Sequence, residues 1–225
     1  MITSAANPRL KLIRRLESRR QRSKLGLFVG EGEDLVDAAL AVGIEPVDRL
    51  VAGEDVEPEL LAAVSSLAHP PRVIGVFRRE DLPAWAPRPA TLALWHVADP
   101  GNVGTLIRTA DAFAASVALS DGCADPAGPK ALRSSVGAIF RVPIGRFDQA
   151  DGRRVALVAH DGEPLDRVDL PESTVFVLGA EREGLPDEVV AACDAVVSIP
   201  VAESAESLNV AAAGAIALYE WARRR

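Results

Sequence analysis

The 225-residue sequence is poor in several residue types, and each scarcity closes off a class of chemistry. There are two cysteines, Cys123 and Cys193, far apart and in no C-x-x-C pairing, so neither a disulfide framework nor a thiolate metal site is expected. The three histidines, His69, His96 and His160, are scattered without ligand-like spacing, and no metal is expected. Apolar runs such as "VALVA" and "TVFVLGA" fall far short of the roughly 20 residues that cross a bilayer. The cationic N-terminus has no apolar signal core, which leaves a cytoplasmic location and no membrane partner as the expectation. A basic surplus is also missing, since the formal net charge is −7, and taken alone this argues against a nucleic-acid partner.

The charge distribution reverses that argument. Between Arg9 and Lys24 stand eight cations (Arg9, Lys11, Arg14, Arg15, Arg19, Arg20, Arg22 and Lys24) against Glu17 alone, so this segment carries +7 and the remainder −14. Such a run is either a solvated helix face or a phosphate-facing patch, and charge does not decide between them. At 48% hydrophobic content the chain supports one large domain or two smaller ones.

The pattern predicts a basic helix near 8–22, a strand at "LFVGEG", a helix over 33–41, a strand around 47–51, a helix near 57–67 and a strand at "RVIGVF". Pro83, Pro87 and Pro89 then interrupt both helix and ladder and mark a boundary, giving units 1–88 and 89–225. After it come "TLALWHVA", a helix beginning near Gly104, and the short strands "SVALS", "RVALVA", "TVFVLGA" and "AVVSIP". Alternation of this kind predicts an α/β fold with a largely parallel sheet, helices on both faces and ligands beyond the carboxyl ends of strands.

Three segments at such ends stand out. In "DPGNVGTLIRTADAF" a Gly- and Asn-rich turn enters a helix, placing Asn102 and Arg108 six residues apart; alone, it favours a surface pair between Arg108 and Asp111. In "VLGAEREGLP", Gly179, Glu181 and Gly184 form G-x-E-x-x-G, which is not the dinucleotide fingerprint and puts a carboxylate where a polyphosphate would be repelled. In "SIPVAESAESLNVAAAGAIALYEWARRR", Ser207-Leu208-Asn209 stands before an Ala-rich helix, where Ser or Asn also serves as a cap.

Together and in this order, the three segments resemble the motifs of the SpoU (TrmH-type) branch of the SPOUT methyltransferase superfamily. The residues "SAANPRLKLIRRLESRRQR" and "GLFVGEGEDLVDAAL" are similar, more loosely, to the substrate-binding domain that many members carry. The resemblance implies a small N-terminal ribosomal-protein-like α/β RNA-binding domain and a C-terminal SPOUT domain with a deep trefoil knot, an exception to the near absence of knots. It implies S-adenosylmethionine as methyl donor, held by Leu178, Gly179, Gly184, Ile199, Pro200 and Leu208, and transfer to a ribose 2′-hydroxyl. The catalytic set it implies is Asn102, Arg108, Glu181, Ser207 and Asn209, in a homodimer with the site near the subunit interface. RNA contacts would come from Arg9, Lys11, Arg14, Arg15, Arg19, Arg20 and Arg22, with Lys130 and Arg133 from "GPKALRSSVGAIFRVPI". Ribosomal RNA is the expected substrate; the alternatives are transfer RNA and a non-catalytic RNA-binding member of the fold. Glu203 and Ala205 depart from the third motif, and Ala114 stands where a glycine is frequent.

Overall fold

The computed structural model describes residues 1–202 and 204–225. The expectation attached to Glu203, an altered donor loop, lies outside the described residues. Asn7 opens α1 (Pro8–Arg15), its side chain accepting from the Arg9 amide at 2.9 Å with Pro8 in the first turn. The single basic helix expected through Arg22 is two helices. The first closes at Leu16, and α2 (Arg19–Leu25) starts after the extended Ser18. Then follow β1 (Leu27–Glu31), α3 (Glu33–Leu40), β2 (Asp48–Val51), α4 (Pro58–Ala62) and β3 (Val73–Arg78). The fourth helix is shorter than its pattern because the Glu31 carboxylate gathers the hydroxyls of Ser65 and Ser66 and the Ser66 amide, an alternative to helical bonding. These strands pair in the order β1-β3-β2, all antiparallel, so the strand–helix alternation does not yield a parallel sheet here. One face packs Val29, Leu50, Ile74 and Val76 against Leu10 and Ile13 of α1 and Leu61 of α4.

Residues 82–89, the proline segment, carry no regular structure and are held by Arg88, which donates to the carbonyls of Ala115 (3.2 Å) and Arg141 (2.7 Å). Beyond them lie β4 (Ala90–Leu94), α5 (Pro100–Ala112), β5 (Ser116–Leu119), α6 (Pro129–Ser135), β6 (Ile144–Arg146), β7 (Arg153–Val158), β8 (Glu163–Pro164), β9 (Thr174–Leu178), α7 (Asp187–Ala191), β10 (Ala195–Ser198) and α8 (Val210–Ala222). The strands form one seven-stranded sheet, β6-β5-β4-β9-β7-β10-β8, parallel throughout. The strands β6 and β8, of three and two residues, are too short to leave a periodicity and escaped the sequence reading. The chain runs outward from β4 to β6, then returns to the other side, where β9 slots between β4 and β7. That reversal sets the carboxyl ends of β4 and β9 side by side.

Helix α5 is clasped between α6 and α8, closely because each contact is made at a glycine. A Cβ on Gly104 would lie 2.3 Å from the Ala131 carbonyl oxygen of α6, and one on Gly214 of α8 would lie 2.4 Å from the Leu106 side chain. Leu92, Leu94, Leu106, Ile107 and Phe176 are fully buried between helices and sheet, each contributing roughly 1.5–3 kcal/mol. The two units share a second core, in which Leu132, Ile139 and Phe140 meet Phe28, Val36 and Phe77 of the N-terminal sheet. The Phe77 and Phe140 rings are centred 5.3 Å apart.

Beside this core sits a buried ionic cluster. Arg22 Nε donates to Asp125 Oδ2 at 2.8 Å, Arg79 reaches both Asp125 oxygens at 2.8 Å, and Arg22 also donates to the carbonyls of Leu16 and Glu17 at the end of α1. Arg22, expected on the RNA-facing surface, is therefore corrected to an interior residue, 4% exposed. The physical reason is that it satisfies the orphan carbonyls left where α1 stops.

Candidate active site

The site is assembled where three chain segments meet at the carboxyl ends of β4, β9 and β10. Asp99 is the N-cap of α5, its Oδ1 accepting from the amides of Gly101 (2.7 Å) and Asn102 (3.1 Å). The helix thus begins at Pro100, four residues before the expected start, and Asn102 is in its first turn rather than in a loop. Asn209 is the N-cap of α8, with Oδ1 accepting from Ala211 (2.9 Å) and Ala212 (3.3 Å). With its oxygen committed, Asn209 turns Nδ2 outward and donates to Asn102 Oδ1 at 3.1 Å. The other end of the Asn102 amide then donates through Nδ2 to Glu181 Oε1 at 2.9 Å, and the Asp99 amide reaches the same oxygen at 3.3 Å. One helix cap thereby fixes the direction of the whole chain, Asn209 to Asn102 to Glu181.

Glu181 stands at the tip of a tight loop closed by paired backbone bonds between Ala180 and Gly184 (3.1 and 3.0 Å). A Cβ on Gly179 would sit 2.2 Å from the Gly184 backbone, so only glycine allows the loop to fold this tightly. Lys130 Nζ lies 2.7 Å from Asp99 Oδ2. That hydrogen bond, against a smaller desolvation cost and aided by the Asn102 and Gly101 amides, holds the Asp99 carboxyl below its ordinary range.

Next to this hydrogen-bonded chain opens a cavity of about 580 Å³. Its walls are the ends of β7 and β9, the 179–184 loop, Ile199 and Val201 after β10, and the 206–209 approach to α8. Leu157, Leu178, Ile199, Leu208 and Ala213 supply its apolar part, while Glu181, Glu183 and Glu206 bring carboxylates against Arg182, the one cation among the described lining residues. Such a lining suits a flat heterocycle carrying a cationic group and repels a polyphosphate. Among the described residues no cluster of metal-ligating side chains occurs, and no helix is long and apolar enough to cross a membrane.

Known proteins match this geometry along the whole chain. A model of the SpoU rRNA Methylase family matches residues 89–219 and one of the MRM3-like substrate binding domain matches residues 7–79. The chain belongs to the SpoU rRNA methylase family. The 23S rRNA (guanosine(2553)-2′-O)-methyltransferase RlmP of Bacillus subtilis is 32% identical, with 97% of each chain covered. The AdoMet-bound rRNA methyltransferase from Sinorhizobium meliloti superposes with a TM-score of 0.88 at 30% identity, covering 99% of this chain and 97% of that one. The SpoU methyltransferase AviRb from Streptomyces viridochromogenes, in complex with AdoMet, gives 0.85 at 27% identity, covering 97% and 98%.

Within this family member the sequence-derived residues divide. Asn102, Glu181 and Asn209 are joined by hydrogen bonds, and Leu178, Gly179, Glu181, Gly184, Ile199, Ser207, Leu208 and Asn209 line the cavity. Pro200 is exposed and is not part of the lining. Arg108 is exposed on α5, about 9 Å further along the axis than Asn102, and no hydrogen bond joins it to the Asn209–Asn102–Glu181 chain. Its expected partner Asp111 pairs with Arg141 at 2.7 Å instead. Of the basic set, Arg9 pairs with Asp48, Arg15 donates to Gln21 at 2.7 Å, Arg19 to the Cys123 carbonyl at 3.2 Å and Arg133 to Ser66 at 3.0 Å. Lys11, Arg14 and Arg20 are exposed. Asp99, Glu183, Glu206 and Leu157 were missed by the sequence reading. Of these only Asp99 carried a signal, the Asp-Pro pair that marks a capped helix start.

Proposed function

We propose that this protein transfers the methyl group of S-adenosylmethionine to a ribose 2′-hydroxyl of ribosomal RNA. The observation that carries this reading is the amide chain Asn209–Asn102–Glu181 at the mouth of a carboxylate-bearing cavity. RlmP, similar over nearly the full length, supports ribosomal RNA as the substrate. When bound, the donor supplies an already activated sulfonium methyl, so the remaining tasks are alignment and removal of one hydroxyl proton. The backbone of Leu178, Gly179, Gly184, Ile199 and Leu208 would hold it, with the carboxylates facing its cationic centres. Glu181 and Asn209 keep the Asn102 amide in one orientation, and Ser207 adds a hydroxyl to the wall. Arg108 holds the phosphate of the target nucleotide and orients its 2′-hydroxyl. A guanidinium holds its protons too tightly to be a good base.

The units 1–88 and 89–225 act as RNA-binding and catalytic domains, the first drawing phosphates through Lys11, Arg14, Arg19 and Arg20. The C-terminal segment from β9 to α8 forms the family's trefoil knot. A homodimer covers the exposed Ile216 and Tyr219, one turn apart on α8. The test is transfer of tritium from labelled S-adenosylmethionine to unmodified 23S rRNA transcript and to bulk tRNA, followed by mapping of alkali-resistant linkages. Label in the rRNA at a 2′-O-methyl is expected. Label confined to tRNA would refute the substrate, and absence of donor binding would refute the reaction.

A further inference from the structure

One exposed feature near the site has no task in the reaction just described. Trp95 and His96 follow β4 directly, and their rings lie face to face, centroids 4.9 Å apart and only 4° from parallel. Successive residues of an extended strand point to opposite faces. Here His96 departs from that rule by adopting φ +53°, a left-handed conformation that side chains rarely take, which turns its imidazole back over the indole. The arrangement is held from several sides. The His96 amide donates to Ser120 Oγ at 2.9 Å, the Trp95 amide donates to the Leu178 carbonyl at 2.8 Å, and the Phe147 ring meets Trp95 edge-on at 5.1 Å. Gly122 leaves room for the imidazole, since a Cβ there would lie 3.2 Å from His96 Cγ.

Trp95 is half-buried and His96 exposed, so the core does not require the outer ring. The stack lies close both to the start of α5 and to the N-terminal unit. Asp99 and Asn102 follow three and six residues later, and the 120–123 loop that touches His96 receives Arg19 of the N-terminal unit through the Cys123 carbonyl. The charges around it are Asp121, the mutually paired Arg146 and Asp148, and Arg154, whose guanidinium lies 5.6 Å over the Phe147 ring, two cations against two carboxylates with no basic surplus. A flat, uncharged, electron-rich group fits such a surface, and an unpaired nucleobase is that group.

We propose that the Trp95–His96 stack is a base-stacking station for an unpaired nucleotide flanking the methylated one, an inference that rests on RNA being the substrate. The test uses the full-length protein without donor, titrated with a 12-residue oligoadenylate and with an abasic oligonucleotide of equal length and charge. Wild type is expected to bind the oligoadenylate about tenfold more tightly than the abasic strand, with quenching of tryptophan fluorescence. His96→Gly, which also relieves the backbone, should abolish that preference while abasic binding and S-adenosylmethionine affinity stay unchanged; His96→Phe should keep it. Equal affinity of wild type for both strands, or a preference that survives His96→Gly, would overturn the proposal. Failure of methyl transfer to 23S rRNA with the base preference intact would instead count against the reaction and leave the stacking station standing.

Discussion

Asn209→Asp separates the two jobs that Asn209 performs. The introduced carboxylate still accepts from the Ala211 and Ala212 amides, and a negative charge at a helix N-terminus is favoured by about 0.3–1 kcal/mol, so α8 should stay capped. The outward donor to Asn102 is lost, however. Asn102 then either faces an oxygen with its own oxygen or flips, presenting Oδ1 to the Glu181 carboxylate. In both cases one hydrogen bond disappears and one repulsive contact replaces it. At about 0.5–1.5 kcal/mol for a neutral bond and 1.5–3 kcal/mol for one to a charged group, the misalignment amounts to about 2–4 kcal/mol. Restoring the original alignment for reaction at that cost lowers kcat by about 30- to 1000-fold. Single-turnover methylation of 23S rRNA at saturating donor reads this directly, with thermal melting as the control. Activity within threefold of wild type, with α8 intact, would show that the amide chain does not organise the reaction.

Arg108→Lys keeps the charge but loses the planar fork, so methylation at saturating RNA should persist while KM for RNA rises about fivefold; abolished turnover would mean that the guanidinium does more than hold a phosphate. Asp125→Ala leaves Arg22 buried without a counter-charge and should cost about 3–5 kcal/mol in urea melts, against no loss if the cluster were surface-like. Burial alone would push the Asp125 carboxyl up, but Arg79 and Arg22 outweigh it and hold it below the ordinary value. Its contribution is therefore complete above the unfolded pKa of about 3.9 and disappears as pH falls through the lower folded value, so Asp125→Asn should flatten the acid side of the stability curve. Ala114 sits at φ +51° just past α5, a conformation costing an L-residue about 1–2 kcal/mol. Ala114→Gly should raise the melting temperature by about 1–4 °C after the entropy of glycine is subtracted, and a lower melting temperature would contradict the assigned strain.

Much of this protein was legible from local chemistry. The parallel strands β4, β5, β7, β9 and β10 announced themselves by short apolar runs, the proline segment by its composition, and the Asn209 cap by its place before an Ala-rich helix. Those signals are readable because their causes lie within a few residues. The start of α5 was misplaced although Asp99-Pro100 marked it, because the glycines that follow suggested a turn. The length of α4 depended on Glu31, more than thirty residues away.

What tertiary structure alone decided is which of several identical side chains matter, and where. Asn102 and Glu181 are 79 residues apart, and Asn102 and Asn209 are 107 apart; they meet because β9 inserts beside β4 and brings two strand ends and one helix cap to a single edge. Arg22 and Arg20 are equivalent members of one charged run, yet Asp125, 103 residues further on, draws the first into the interior and leaves the second in solvent. The sequence by itself determined the kind of chemistry available at each loop. Packing determined its geometry, because burial and hydrogen-bond direction depend on neighbours that no local pattern encodes.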